Sequence, residues 1–300
     1  MLLRYRGGIN AAILDIETWW ADKLSGSSIK TMVIAVLVVI NAFFLTFIII
    51  DTAADARSER QAIENACSVL RSNGVSVDPE TIKGGGALRM MRASRSDEAE
   101  SAIARAFLGS ANMTDKGVIY LYENTARGTA EFSSGGAFTI LLNEGVITND
   151  GGTQKTVSRL LRAMKLETRE PVVSGPPGNE IVTAVSTYKG TSVFNCVIEF
   201  VFRGNSLESA KGRYMTELEA VDDGAVISTA GTALLCFLAA VKRDEIECAR
   251  IFSIEAGYRH SIAGSLGDGV IAPAWLVTAD SGQYIIDDAA GEIRRLTVEN

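Results

Sequence analysis

Hydrophobic positions in this chain follow three patterns, and each predicts a different kind of element. The first is a solid block. Thr31–Ile50, TMVIAVLVVINAFFLTFIII, runs without a charge between Lys30 and Asp51. A helix of that length is about 30 Å long, the thickness of a bilayer's hydrocarbon core. It has no polar face, so residues 29–50 are read as a transmembrane helix rather than a surface helix.

The second pattern is the helical stripe. Ile63, Ala66, Cys67 and Leu70 stand at i, i+3, i+4 and i+7, as do Val157, Leu160, Leu161 and Met164, and Leu234, Phe237, Leu238 and Val241. These stripes predict helices over 55–72, 153–165 and 228–242, and a further helix is expected over 97–109. Alternation is the third pattern. Phe194, Cys196, Ile198, Phe200 and Phe202 fall on one face of a strand over 191–202, which Lys189-Gly190 joins to a strand over 181–188. Further strands are predicted near 87–93, at 117–123, 128–133, 136–142 and 212–221, and at 246–258, 272–279 and 283–288. Short connections between them mean antiparallel neighbours.

The expected fold class is therefore α+β: a single N-terminal transmembrane helix, then extracellular units that each pack a helix on an antiparallel meander sheet. The expected divisions are a cytoplasmic segment 1–28, the span 29–50, a first unit 51–150, and a region 151–300 holding two units at about 153–222 and 226–300. Orientation follows from the flanks. Arg4, Arg6, Lys23 and Lys30 precede the span, whereas Asp51 and Asp55 follow it. Positive charge stays in the cytoplasm, so residues 51–300 are placed outside the cell membrane. The apolar run is too long for a cleaved signal peptide and lacks a clean cleavage site.

Charge and chemistry narrow the picture. The chain carries a formal net charge of −7, which argues against nucleic acid and against anionic lipid surfaces as partners. Cys67, Cys196, Cys236 and Cys248 form no C-x-x-C, and His260 is the one histidine, so a zinc site has no sequence support. Cys67 and Cys196 read as buried thiols, and Cys236–Cys248 is the pair to check for a disulfide. His260 reads as a surface histidine just past a strand. Neither S-x-x-K, at Ser27–Lys30 and Ser186–Lys189, has a catalytic context. Gly84–Gly86 reads as a flexible connection, and Asp222-Asp223 and Asp287-Asp288 as turn residues. No catalytic, cofactor-binding or metal residue is assigned, and no cofactor is expected. The remaining feature is Asn41, an amide in the middle of the apolar run. Such a group is costly there unless bonded; it can bond its own helix backbone or tilt toward water, or it can contact another membrane helix, which is the functional reading.

Together these features resemble the YycI and YycH regulatory proteins of Gram-positive bacteria. The resemblance rests on Asn41-Ala42-Phe43-Phe44-Leu45 within an N-terminal anchor and on the helix-plus-sheet exterior. It also rests on a C-terminal series: Tyr258, Pro273-Ala274-Trp275, Gln283-Tyr284-Ile285-Ile286-Asp287 and Gly291-Glu292. The same series is similar to PepSY modules, a wider group of small secreted α+β domains. What the resemblance implies is regulation without catalysis: association with a WalK-type membrane sensor histidine kinase, with a related YycH-type regulator as a further expected partner, in control of cell-wall homeostasis. A PepSY-like extracellular module that binds a peptide, a protease or a wall fragment is the alternative. In either case Tyr258, Pro273, Trp275, Tyr284 and Gly291 are expected to be structural.

Overall fold

The computed structural model describes residues 33–34, 36–38, 40–41, 57–83, 85, 88–215, 218–221, 227–263, 268–287 and 291–296. The chain divides into two compact units, Met1–Arg60 and Gln61–Asn300. In the first, the described residues between 33 and 41 are helical, with Val33, Ile34, Val36, Leu37, Val38 and Ile40 exposed.

The second unit is built on one mixed sheet of sixteen strands. In chain order it contains residues 61–72 of helix α1 (57–72), β1 (Ser76–Val77), β2 (Ile82–Lys83), β3 (Met91–Ala93), α2 (Asp97–Leu108), β4 (Asn112–Asp115), β5 (Tyr120–Asn124), β6 (Gly128–Phe132) and β7 (Ala137–Leu142). Then come α3 (Thr153–Ala163), β8 (Val172–Ser174), β9 (Ile181–Tyr188), β10 (Thr191–Arg203), β11 (Ser206–Arg213), β12 (Leu218–Ala220) and α4 (Ala230–Lys242). The chain continues with β13 (Arg250–Ala263), β14 (Asp268–Ala279), β15 (Gly282–Asp287) and β16 (Glu292–Arg295).

Local chemistry explains the boundaries. The Ser96 side chain accepts from Ala99 N–H and opens α2, whose first turn carries Asp97, Glu98 and Glu100 against the positive end of the helix dipole. Thr229 caps α4 in the same way. Between β9 and β10, Lys189 and Gly190 both have positive φ, the two-residue turn whose twist matches a hairpin. Pro273 sits where β14 changes neighbours. Strand β3 lies beside Gly269–Ile271 and β15 beside Ala274–Ala279, so the residue without an N–H falls between them.

Two cores result. In one, α2 and α3 cover β5–β7 and β9–β11: Ile103 and Phe107, with Val157, Leu160 and Leu161, pack on Phe132, Ile140, Ile198, Phe200 and Phe202. In the other, α1 and α4 cover β13–β15. There Leu70, Leu234 and Phe237 pack on Ile254, Trp275, Val277 and Ile286. Segment 63–82 thus shares its core with 227–293. The chain passes out of this half between Ala93 and Asp97 and returns between Tyr214 and Leu218.

The expected fold class does not hold. Separate helix-on-meander units are replaced by one large mixed sheet with few helices. Two features of the strands cause this. β13 and β14 are fourteen and twelve residues long, enough to serve several neighbours along their length. β13 also takes β1, β2 and β10 in parallel, which no meander provides. Strands β4, β8 and β16 were absent from the pattern because they are short and mostly exposed. The predicted strand over 212–221 is really the end of β11 followed by the separate β12, which pairs with β3. The predicted span at 29–50 falls largely outside the described residues. Among the described residues no helix is long and apolar enough to cross a membrane.

Candidate binding groove

Strand β10 has three partners, and the sheet forks there. Strand β9 runs beside most of it and β11 beside Glu199–Arg203, whereas β13 meets it at one bridge, Val193–Tyr258. An irregularity between Ser192 and Val197 interrupts its pairing with β9. Within that stretch Asn195 replaces a strand residue by its side chain. Its Nδ2 donates to His260 O at 2.8 Å, and its Oδ1 accepts from His260 N–H at 2.8 Å. The side-chain amide thereby extends the parallel ladder by one step. Past that step, Ser261–Ala263 have β14 on one side and no described strand on the other.

The fork opens into a groove of about 610 Å³ lined by parts of β7, β10, β11, β13, β15 and β16. Phe200 and Ile286 are buried under helices, whereas Glu199, Lys211, Ile285 and Arg294 belong to the opposite, helix-free face by strand alternation. Lys211, Arg213, Arg259, Arg294 and Arg295 line the groove against a single lining carboxylate, Glu199. Part of this charge is balanced. Lys211 Nζ lies 3.2 Å from Glu199, Arg259 pairs with Asp287, and Arg294 Nη2 lies 2.6 Å from Glu292. Arg213 donates to Gly135 O, and Arg295 donates to Ser281 O at 2.9 Å. Both acceptors are neutral carbonyls, so the groove keeps a positive excess on an acidic chain.

His260 is only 4% exposed, which corrects its reading as a surface histidine. Strand β13 continues five residues past the predicted end, and the ring is enclosed. Burial, followed by the charges of Arg213 and Arg259, pushes its pKa down to about 4, so it is neutral at physiological pH.

A second polar cluster lies where the chain crosses between the two halves. The carboxylate of Glu100 on α2 is fully buried. Arg95 grips it with two bonds, Nε to Oε1 at 2.7 Å and Nη2 to Oε2 at 3.0 Å, and Tyr214 OH donates to Oε1 at 2.5 Å. The Arg95 guanidinium also lies over the Tyr120 ring, 3.8 Å from its centre. Burial and the bond to Glu100 raise the Tyr214 pKa far above the phenol range. Each crossing thus contributes one ligand to the same carboxylate.

The residues singled out by sequence do not converge on the groove. Trp275 and Tyr284 lie in the core under α4, where the Tyr284 ring meets Phe237 edge-on at 5.6 Å. Tyr258 is buried against Tyr188, and Pro273 stands opposite it in the β13–β14 ladder. Gly291, with φ 64°, makes the turn into β16. The Asn41 amide donates to Leu37 O at 2.8 Å, one turn back along its own helix. All four cysteines are free, so Cys236 and Cys248 are not joined. Burial pushes the Cys196 thiol up to about 12. No group of three or more metal-ligating side chains occurs among the described residues. The groove cations escaped the sequence reading because they come from three strands, β11, β13 and β16, that are far apart in the sequence. The one available signal was the adjacent pair Arg294-Arg295.

No protein-family model matches this chain, and no curated protein matches it. Among solved structures, it is similar to an uncharacterized protein from Eubacterium rectale ATCC 33656. That similarity has 10% identity and a TM-score of 0.43, over 71% of this chain and 87% of that one. It is also similar to the Bacillus megaterium YpeB C-terminal domain, with 12% identity and a TM-score of 0.31, over 69% of this chain and 99% of that one. Both scores lie below 0.5, so the fold described above rests on this chain's own strands and pairings. Neither the family models nor the curated proteins identify it as YycI or YycH, and that resemblance rests on sequence motifs alone.

Proposed function

We propose that this chain is a non-catalytic regulator that acts by binding, held at the cell membrane through residues 31–50 with its folded part outside. Its partner in this reading is a membrane sensor histidine kinase that governs cell-wall homeostasis. The groove carries the binding half of the reading: cations from separate strands line one concave site on the helix-free face. Membrane attachment is supported by the charge-free run 31–50, and the choice of kinase by the resemblance of the C-terminal series. The test is co-purification from native membranes with a tagged full-length chain, and mass spectrometry of what accompanies it. Enrichment of a sensor kinase over an unrelated membrane bait is the expected result. Its absence after chemical cross-linking would reject the kinase.

A second reading has one observation in its favour. A volume of about 610 Å³ is typical of pockets that hold small ligands. A free peptide or wall fragment would then be the ligand, and it would bind the chain in membranes that contain no kinase.

A further inference from the structure

We propose that the groove at the fork takes an extended acidic segment of a partner protein, which adds a strand to the edge of β13 at Ser261–Ala263 that no described strand pairs. This rests on the binding reading above and specifies the chemistry of what is bound. Three observations meet at the site. First, Ser261–Ala263 have no described neighbour strand opposite β14, and Ser261 and Ile262 line the groove. Unpaired strand edges are usually blunted or covered, because their N–H and C=O groups template another strand. An incoming extended chain can bond them as β10 does at Val193 and as Asn195 does at His260.

Second, the charge around this edge selects the partner. Lys211 and Arg213 stand on β11, and Arg294 on β16. In sheet order these strands are five steps apart, about 24 Å in a flat sheet at the usual spacing. They line one groove because the sheet curls round it. A ligand reaching both rims is therefore elongated, with carboxylates at more than one position. Guanidinium groups bind such carboxylates in a two-point fork. Third, Val197, Ile262, Ile285 and Leu296 also line the groove and offer apolar contact to the other residues of that segment. A strand that alternates acidic and aliphatic residues fits all three features.

The chain in detergent micelles tests this with labelled peptides. The probe is fluorescein-Glu-Val-Glu-Val-Glu, compared with its all-Gln counterpart and with a version in which proline replaces the central Glu. Saturable binding of the first is expected, at least tenfold weaker binding of the Gln peptide, and at least fivefold weaker binding of the proline peptide. Lys211→Glu and Arg294→Glu lie on opposite rims, and both side chains are substantially exposed, so the fold should survive. Each should weaken binding at least fivefold. Arg203→Glu, outside the groove, should leave it unchanged. Selective ¹⁵N-histidine labelling gives one backbone amide signal, that of His260, and saturation with the Glu peptide should shift it.

Equal affinity for the Glu and Gln peptides, or an unmoved His260 signal at saturation, would overturn the proposal. So would full competition by inorganic phosphate at the concentration that leaves unrelated peptide sites untouched, since that describes an anion site without strand addition. Kinase co-purification is scored separately. Recovery of a kinase without peptide binding rejects this inference and keeps the regulatory reading; peptide binding without a kinase does the reverse.

Discussion

Glu100 shows how much one residue can carry. A carboxylate removed from water is costly unless its lone pairs are filled, and Arg95 and Tyr214 fill them. Tyr214→Phe keeps the ring and deletes one bond to a charge. It should lower stability by about 2 kcal/mol, read as a shift of the urea midpoint at constant slope. Glu100→Ala leaves Arg95 without its partner and should cost more, about 3–5 kcal/mol. His260 makes the complementary point. The unfolded chain takes up a proton near the ordinary pKa of 6.5, whereas the folded chain resists until about pH 4. Stability is therefore fully present above pH 6.5 and declines as pH falls, with a loss of about 3 kcal/mol once pH is below 4. Denaturation curves between pH 7.5 and 4.5 measure it, and His260→Gln should flatten the histidine part of that slope. Neither environment was legible locally. Glu100 sits in an ordinary acidic first turn of a helix, and His260 between Arg259 and Ser261. Their burial is decided by elements far away in sequence.

Among the elements, periodicity carried the reading where one face meets water and failed where a strand changes partner. The stripe of α3 was legible because its other face is polar. Leu161 lies in the core with Ile198, Phe200 and Phe202. Leu161→Ala should cost about 2–5 kcal/mol in the same urea assay, through lost transfer energy and a cavity. In β10 the alternation Phe194–Phe202 predicted a single face, yet Phe194 leaves it and packs with Ala274 and Ile285. The irregularity between Ser192 and Val197 is the cause: β10 advances five residues there while β9 advances two, from Thr187 to Val185, and an odd excess reverses which side the following side chains face. Gly257 leaves the room: a methyl group there would fall on the Phe194 ring. No pattern within β10 announces the irregularity, since its reason is the parallel neighbour β13. Asn195→Ala should make this visible. It removes both bonds to the His260 main chain, so the His260 amide should exchange with solvent at least tenfold faster.

At the scale of the molecule, helices and hairpins were read from short-range pattern, whereas the fork was not. It depends on β10 meeting β13, strands many tens of residues apart, and the pairings of β1 with β13 and β3 with β14 reach as far. That arrangement has a consequence in time. Residues 97–213 form a continuous stretch whose core can close as soon as it is made. The segment before it cannot. Ile63, Ala66, Cys67 and Leu70 are made early, but their cover, from Leu234 to Ile286, comes from the other end of the chain. At about 5–20 residues per second, a ribosome needs on the order of ten to forty seconds to supply it. Throughout that interval a greasy helix and three short strands, β1, β2 and β3, stay without their partners on the nascent chain. A newborn copy is therefore most exposed to misassembly at its beginning, and a holding chaperone would find its target there.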